Sequence, residues 1–280
     1  MKLELYRNLW GIDLPRDRAL VAIEQAGYDG IETVLFNDAE AAELRAILPR
    51  HRLRFKAVLW LSGQTLAEQL GALRIQLERA RPLEPTSISI IGGYDCWNDD
   101  EVARYLEAAG RMGDQTGYSF AHETHRSSIL FHPNSTLRLL DRFPELPLVC
   151  DFSHWVVACE RLLHDQVATI RRCGRQAVHI HARVGSEQSP QVPDVRAPEA
   201  APYRDAFERW WEIVWEEQAA RGLESTSLCP ELGAPPYQPA PFVSLADQCE
   251  WQKQRQIARF AAWQSRRERQ LQTADDSSTA

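Results

Sequence analysis

Seven of the eight histidines in this chain fall between residues 122 and 181, and they keep company with carboxylates. Residues 122–126 read His-Glu-Thr-His-Arg, and Asp151 and His154 stand three apart in "PLVCDFSHW". His179, His181 and Arg183 alternate in "HIHAR", and Glu231 follows in "CPELG". Each group closes a short apolar run. A carboxylate at the end of a buried strand is costly unless it is paired or binds a cation. Three such carboxylates converging with imidazoles call for a positive centre, and one divalent metal ion supplies it. Carboxylate oxygens with one imidazole nitrogen suit Mn²⁺, Mg²⁺, Co²⁺ or Zn²⁺. The lack of thiolates in these groups argues against a structural zinc.

Plainer readings stand beside this one. Asp151 could instead cap the helix that follows its strand. His122 reads as structural, and His51, His132 and His164 as surface or loop residues. Of His179 and His181, we expect one to face the barrel interior or rim and the other to pack in the helix layer as a core histidine. Glu32, at the end of another apolar run, is equally readable as a substrate contact or a buried structural carboxylate.

The elements that must position these groups follow from hydrophobic periodicity. Short apolar runs alternate with longer segments of helical spacing. Thus "LELYRNLWG" precedes "PRDRALVAIEQAG", "YDGIETVLF" precedes "DAEAAELRAILPR", and the pattern recurs to "STSLCPELG" and "SLADQCEWQKQRQIARFAAWQSRR". There are eight such units in a chain of 280 residues, the size of a (β/α)8 barrel with an extended C-terminal helix. An open doubly wound sheet is the rival, but no GxGxxG or Walker loop follows any strand. No linker divides the chain, so residues 1–270 read as one TIM barrel and 271–280 as a disordered tail. In such barrels the active site lies at the C-terminal ends of the strands, which is where the charged groups fall. The long connection Ala182–Pro202 after the seventh strand carries four prolines. We expect it to fold over the mouth and present Gln191, Asp194 and Arg196.

Composition narrows the partners. A net charge of −7 and a pI near 5.7 oppose binding to a nucleic acid, whose affinity rests on neutralising phosphates. No apolar run is long enough to span a membrane, and the N-terminus lacks the apolar core of a signal peptide, so a cytoplasmic location is expected. The six cysteines form no CxxC pair and read as reduced. The aromatic run "RWWEIVW", with Trp210, Trp211 and Trp215, marks a helix that is buried or faces another subunit. A homo-oligomer is therefore left open.

Five of these pieces resemble one family. "GYDGIE", "HETHR", "DFSHW", "HIHARVG" and "CPELG" stand in the order found in the xylose-isomerase-like TIM barrel superfamily. That superfamily includes sugar phosphate isomerases and epimerases, inosose dehydratases and, more distantly, the family 2 AP endonucleases. The resemblance implies a metal held by Glu123, Asp151, His181 and Glu231. It implies that His154 contacts the substrate or a ligand, that Arg183 contacts the substrate, and that Glu32 and His125 lie beside it. Arg126 belongs to the same pattern without an assigned role. The implied activity is isomerisation or epimerisation of a small carbohydrate through an enediolate, with Glu123 and Glu231 exchanging the proton. An inosose-dehydratase-like lyase shares the first step. A metal-dependent nuclease and a non-catalytic sugar-binding protein are the remote readings.

Overall fold

The computed structural model describes residues 1–237 and 244–278, with side chains through 273. Eight parallel strands close into a barrel in chain order. They are β1 (Lys2–Asn8), β2 (Gly30–Val34), β3 (Arg54–Trp60), β4 (Ser87–Ile91), β5 (Phe120–Glu123), β6 (Leu148–Cys150), β7 (Ala177–His181) and β8 (Ser225–Cys229). β1 pairs with both β2 and β8, from Lys2 opposite Ser225 to Leu5 opposite Leu228, and this closes the ring. The helices are α1 (Arg16–Gln25), α2 (Asp38–Ile47), α3 (Leu66–Ala80), α4 (Asp99–Thr116), α5 (Pro133–Arg142), α6 (Ser153–Cys159), α7 (Val167–Gly174), α8 (Ala201–Ala220) and α9 (Leu245–Ser278). The (β/α)8 expectation holds.

Local chemistry starts several helices at the rim. Asn37, Thr65 and Asn98 each accept a hydrogen bond from a backbone N–H of the next turn, and Glu68 and Glu101 complete capping boxes at α3 and α4. These caps fix where each strand end turns outward. One element escaped the periodicity: α6 begins directly after β6. It is only seven residues long, and Phe152 at its N-cap makes no side-chain cap bond.

The aromatic run lies inside the chain. Trp210, Trp211 and Trp215 of α8 are all buried, with Trp215 against Phe260 and Trp263 of α9 and Trp210 against Phe152. A ladder of ion pairs joins the same two helices, Glu208 to Arg255 and Arg259, and Glu212 to Arg259 and Arg266. α9 also reaches the first strand, since Gln264 donates to the carbonyl of Met1. Its helix runs on through residues 271–278, where a disordered tail was expected; residues 279–280 lie outside the described ones.

Candidate metal centre

The strand ends place Glu123, Asp151, His181 and Glu231 together. Each offers one ligand-type atom, and these atoms all lie within 4.8 Å of one another. Nδ1 of His181 stands 3.1 Å from Glu231 and 3.3 Å from Glu123. Yet His181 Nδ1, Glu123 Oε2 and Glu231 Oε2 are buried without a hydrogen-bond partner. Buried polar atoms rarely go unpartnered, and three that converge on one point form a group that could hold a cation. Arg183 pairs with Asp151 at 3.0 Å and with Glu231 at 2.7 Å.

Asp151 reconciles its two readings. Its Oδ1 accepts from the backbone and hydroxyl of Ser153, at 2.9 and 2.6 Å, and so starts α6. Its Oδ2 faces Arg183 and, at 3.5 Å, His154 Nε2. One oxygen does local structural work while the other faces the cluster.

Beneath the cluster runs a file of buried polar groups that the sequence reading missed. Lys56 donates to Ser87 and Ser227, and the Ser227 hydroxyl lies 2.7 Å from His179 Nδ1. His179 Nε2 lies 2.9 Å from one oxygen of Glu32, and His181 Nε2 lies 3.2 Å from the other. Both histidines therefore point into the barrel, and the expectation that one would face the helix layer is corrected. Side chains alternate across a strand with a period of two, so residues two apart share a face. His181 turns Nε2 to Glu32 and Nδ1 to the cluster, so Nδ1 is the nitrogen it could offer a metal once deprotonated. Glu32 is thus a buried carboxylate that orients His181, and it also lines the cavity above.

His122 packs edge-on against Tyr105 of α4, as its structural reading requires, and burial brings it down to about 4. His125 lies over His154, ring centroids 3.9 Å apart, and edge-on to Trp60. Arg126 approaches His154 Nδ1 at 3.0 Å. A guanidinium only donates, so Nδ1 must accept and the ring carries its proton on Nε2. Burial first, then His125, Arg183 and Arg126, hold His154 well below the usual imidazole range. It is a neutral donor facing Asp151 and Glu123.

The carboxyls differ sharply in environment. Burial pushes Glu123 up to about 7 against the pull of His181. Burial also pushes Glu231 up, but Arg183 and His181 outweigh it and bring it to about 2. Burial disfavours a charged His181, yet Glu231, Glu32 and Glu123 together hold it well above its ordinary range.

Above these groups opens a cavity of about 460 Å³, to which Glu123, Glu231, Glu32, His125 and Arg183 contribute, with Trp10, Trp60 and Tyr237. Arg183 lies over the rings of Tyr237 and Trp10, 4.8 and 5.8 Å from their centroids, and the two rings meet edge-on 4.9 Å apart. The connection after β7 is on the expected side of the barrel but contributes no lining residue beyond Arg183. Gln191 instead bonds both backbone groups of Gly233, and Asp194 pairs with Arg196. The loop braces the segment after β8 rather than roofing the site.

No family model matches the chain, and no curated protein matches it by sequence. Solved structures do. D-allulose 3-epimerase from Methylomonas sp. superposes with a TM-score of 0.63 at 16% identity, over 92% of this chain and 98% of its own. A xylose isomerase-like TIM barrel protein from Mycobacterium smegmatis, in complex with magnesium, gives 0.62 at 12% identity over 94% and 97%. The shared architecture is the (β/α)8 barrel. A third solved barrel, the probable 3-DHS dehydratase AsbF from Bacillus anthracis, gives 0.57 at 14% identity over 83% and 94%. These likenesses are of architecture. The residues of this barrel speak for its chemistry.

Proposed function

We propose that the protein is a divalent-metal-dependent isomerase or epimerase of a small carbohydrate. The observation that carries this is the convergence of unpartnered Glu123, His181 and Glu231 atoms, with Asp151, at the floor of the cavity. A divalent metal held by Glu123, Asp151, His181 and Glu231 would polarise a substrate carbonyl and the hydroxyl on the next carbon, making that carbon's C–H acidic. Glu123 and Glu231 come from β5 and from the segment after β8, and both line the cavity. One can take the proton and the other return it, or one can do both. His154, with its proton fixed on Nε2, faces Asp151 and Glu123 at 3.5 and 3.9 Å and steadies these carboxylates from behind His125. Arg183, held by Asp151 and Glu231, keeps those carboxylates in place and lends positive charge to the mouth.

Two linked measurements test this. Elemental analysis of protein purified without chelator should give one divalent metal per chain, lost from Asp151→Ala and His181→Ala; full occupancy in both variants refutes the ligand set. Solvent deuterium should then enter a turned-over ketose. Fully metallated Glu123→Gln or Glu231→Gln should lose about 10²–10⁴-fold in exchange. Exchange at the wild-type rate removes that residue from the proton transfer. Loss of hydroxide after exchange would mark a lyase.

A further inference from the structure

The cavity has two unlike walls. Glu123, His125, Arg183 and Glu231 stand on the side of β5–β8, while Trp10, Val34, Phe36, Val58, Trp60 and Ile91 form the side of β1–β4. Most polar side chains on the second wall are already engaged. Thr33 donates to the carbonyl of Val34, Arg16 pairs with Glu40 at 3.4 Å and Glu43 at 3.3 Å, and Glu32 is held by its two histidines. Asn8 and Arg16 each keep one unpartnered nitrogen. A bare polyol lying along this wall would leave hydroxyls without partners, which binding does not tolerate. The wall also ends in large apolar side chains open to solvent: Phe36 is 66% and Trp60 40% exposed. Exposed aromatics that continue the lining of a charged cavity mark a surface that a ligand covers.

We infer that the substrate carries an apolar, ring-sized substituent at the end remote from the carboxylate cluster, lying against Trp10, Phe36 and Trp60. This rests on the reading of the site as a carbohydrate isomerase and narrows its substrate class to polyhydroxy ketones bearing an aryl or alkyl group. The volume agrees, since about 460 Å³ lies within the ~300–1,000 Å³ of pockets that take drug-sized ligands. A phosphate at that end would meet one guanidinium, Arg16, and with it the two carboxylates Arg16 already faces, Glu40 at 3.4 Å and Glu43 at 3.3 Å.

The test titrates metal-loaded protein with D-fructose, 6-O-benzyl-D-fructose and D-fructose 6-phosphate. The benzyl ether should bind at least about tenfold more tightly than fructose, and the phosphate no more tightly. Phe36→Ser and Trp60→Ser, both at solvent-exposed positions, should cut the benzyl advantage to less than about threefold. An equal affinity for fructose and its benzyl ether overturns the inference, as does a preference for the phosphate or an advantage that survives both substitutions. Benzyl alcohol, followed by saturation transfer to its ring protons in metal-free protein, tests the wall by itself. Transfer that Phe36→Ser abolishes supports the wall; no transfer to the wild type overturns it. Metal-dependent fructose binding without a benzyl advantage sinks this inference alone. Benzyl alcohol binding with no metal-dependent sugar binding sinks the proposed function and, with it, the sugar half of the inference.

Discussion

Glu32 carries both roles its sequence position left open. It lines the cavity, and it is a buried carboxylate bonded to His179. It also lies 3.2 Å from His181 Nε2, so Nδ1 of that ring faces the cluster. Partners of this kind govern ligand basicity and orientation. Glu32→Gln and His179→Ala should therefore each weaken metal binding by about 10–100-fold, read by competition with a chromogenic chelator; unchanged affinity in both would show that His181 needs no such support. Lys56, at the far end of the file, makes a separate prediction. Burial brings its ammonium down to about 8 from 10.5. The unfolded chain then binds more protons than the folded one between those values, so stability rises with pH across that window. The cost is fully present below about 8. Lys56→Met should stabilise the protein at pH 7 by up to ~3 kcal/mol, less what its bonds to Ser87 and Ser227 contribute, and the gain should shrink toward pH 10. Urea unfolding at pH 7 and 9.5 decides; an equal gain at both rules out titration of Lys56. The ligand-type strand ends were legible because buried strands rarely finish on such residues. The file from Lys56 to His179 was not, because its members lie on strands far apart in sequence and only ring closure brings them together.

Elements were read well where they repeat and poorly where they do not. The eight strand–helix units announced themselves by period, and the caps at Asn37, Thr65 and Asn98 made their boundaries sharp. Helix α6 was hidden by its length. The connection after β7 was visible as a proline-rich interruption, but its prolines say nothing about which neighbour it meets. Its contact is Gln191, whose amide bonds the N–H of Gly233 at 2.7 Å and its carbonyl at 3.2 Å. Gly233 is two residues beyond Glu231, so this brace sets the position of a candidate ligand. Gln191→Ala leaves the buried N–H of Gly233 unpaired and should cost about 1–3 kcal/mol. Metal affinity should fall with it. Stability and chelator competition measured on the same protein check both; a variant that loses neither shows that the segment after β8 holds itself.

For the whole molecule, the formal net charge is −7, and among the described residues no helix is long and apolar enough to cross a membrane. The aromatic run that could have faced another subunit is buried within the chain, Trp215 against α9 and Trp210 against Phe152. Trp263 sits at the centre of that contact, 5% exposed, and Trp263→Ala should cost about 3–5 kcal/mol. Thermal and urea unfolding measure it; a loss below 1 kcal/mol would mean α9 is a loose appendage. The seam between β1 and β8 has a consequence for how the chain assembles. Lys2–Leu5 must wait for Ser225–Leu228, more than two hundred positions later, before the ring can shut. Contacts so distant in sequence form slowly, because the intervening chain must first be gathered. During synthesis the growing sheet therefore carries one open edge along its first strand until the eighth emerges, and an open edge invites pairing with other chains. The last helix, tied to Met1 through Gln264, is then the clasp that makes closure persist, and the interval before it arrives is when the protein is most exposed to aggregation.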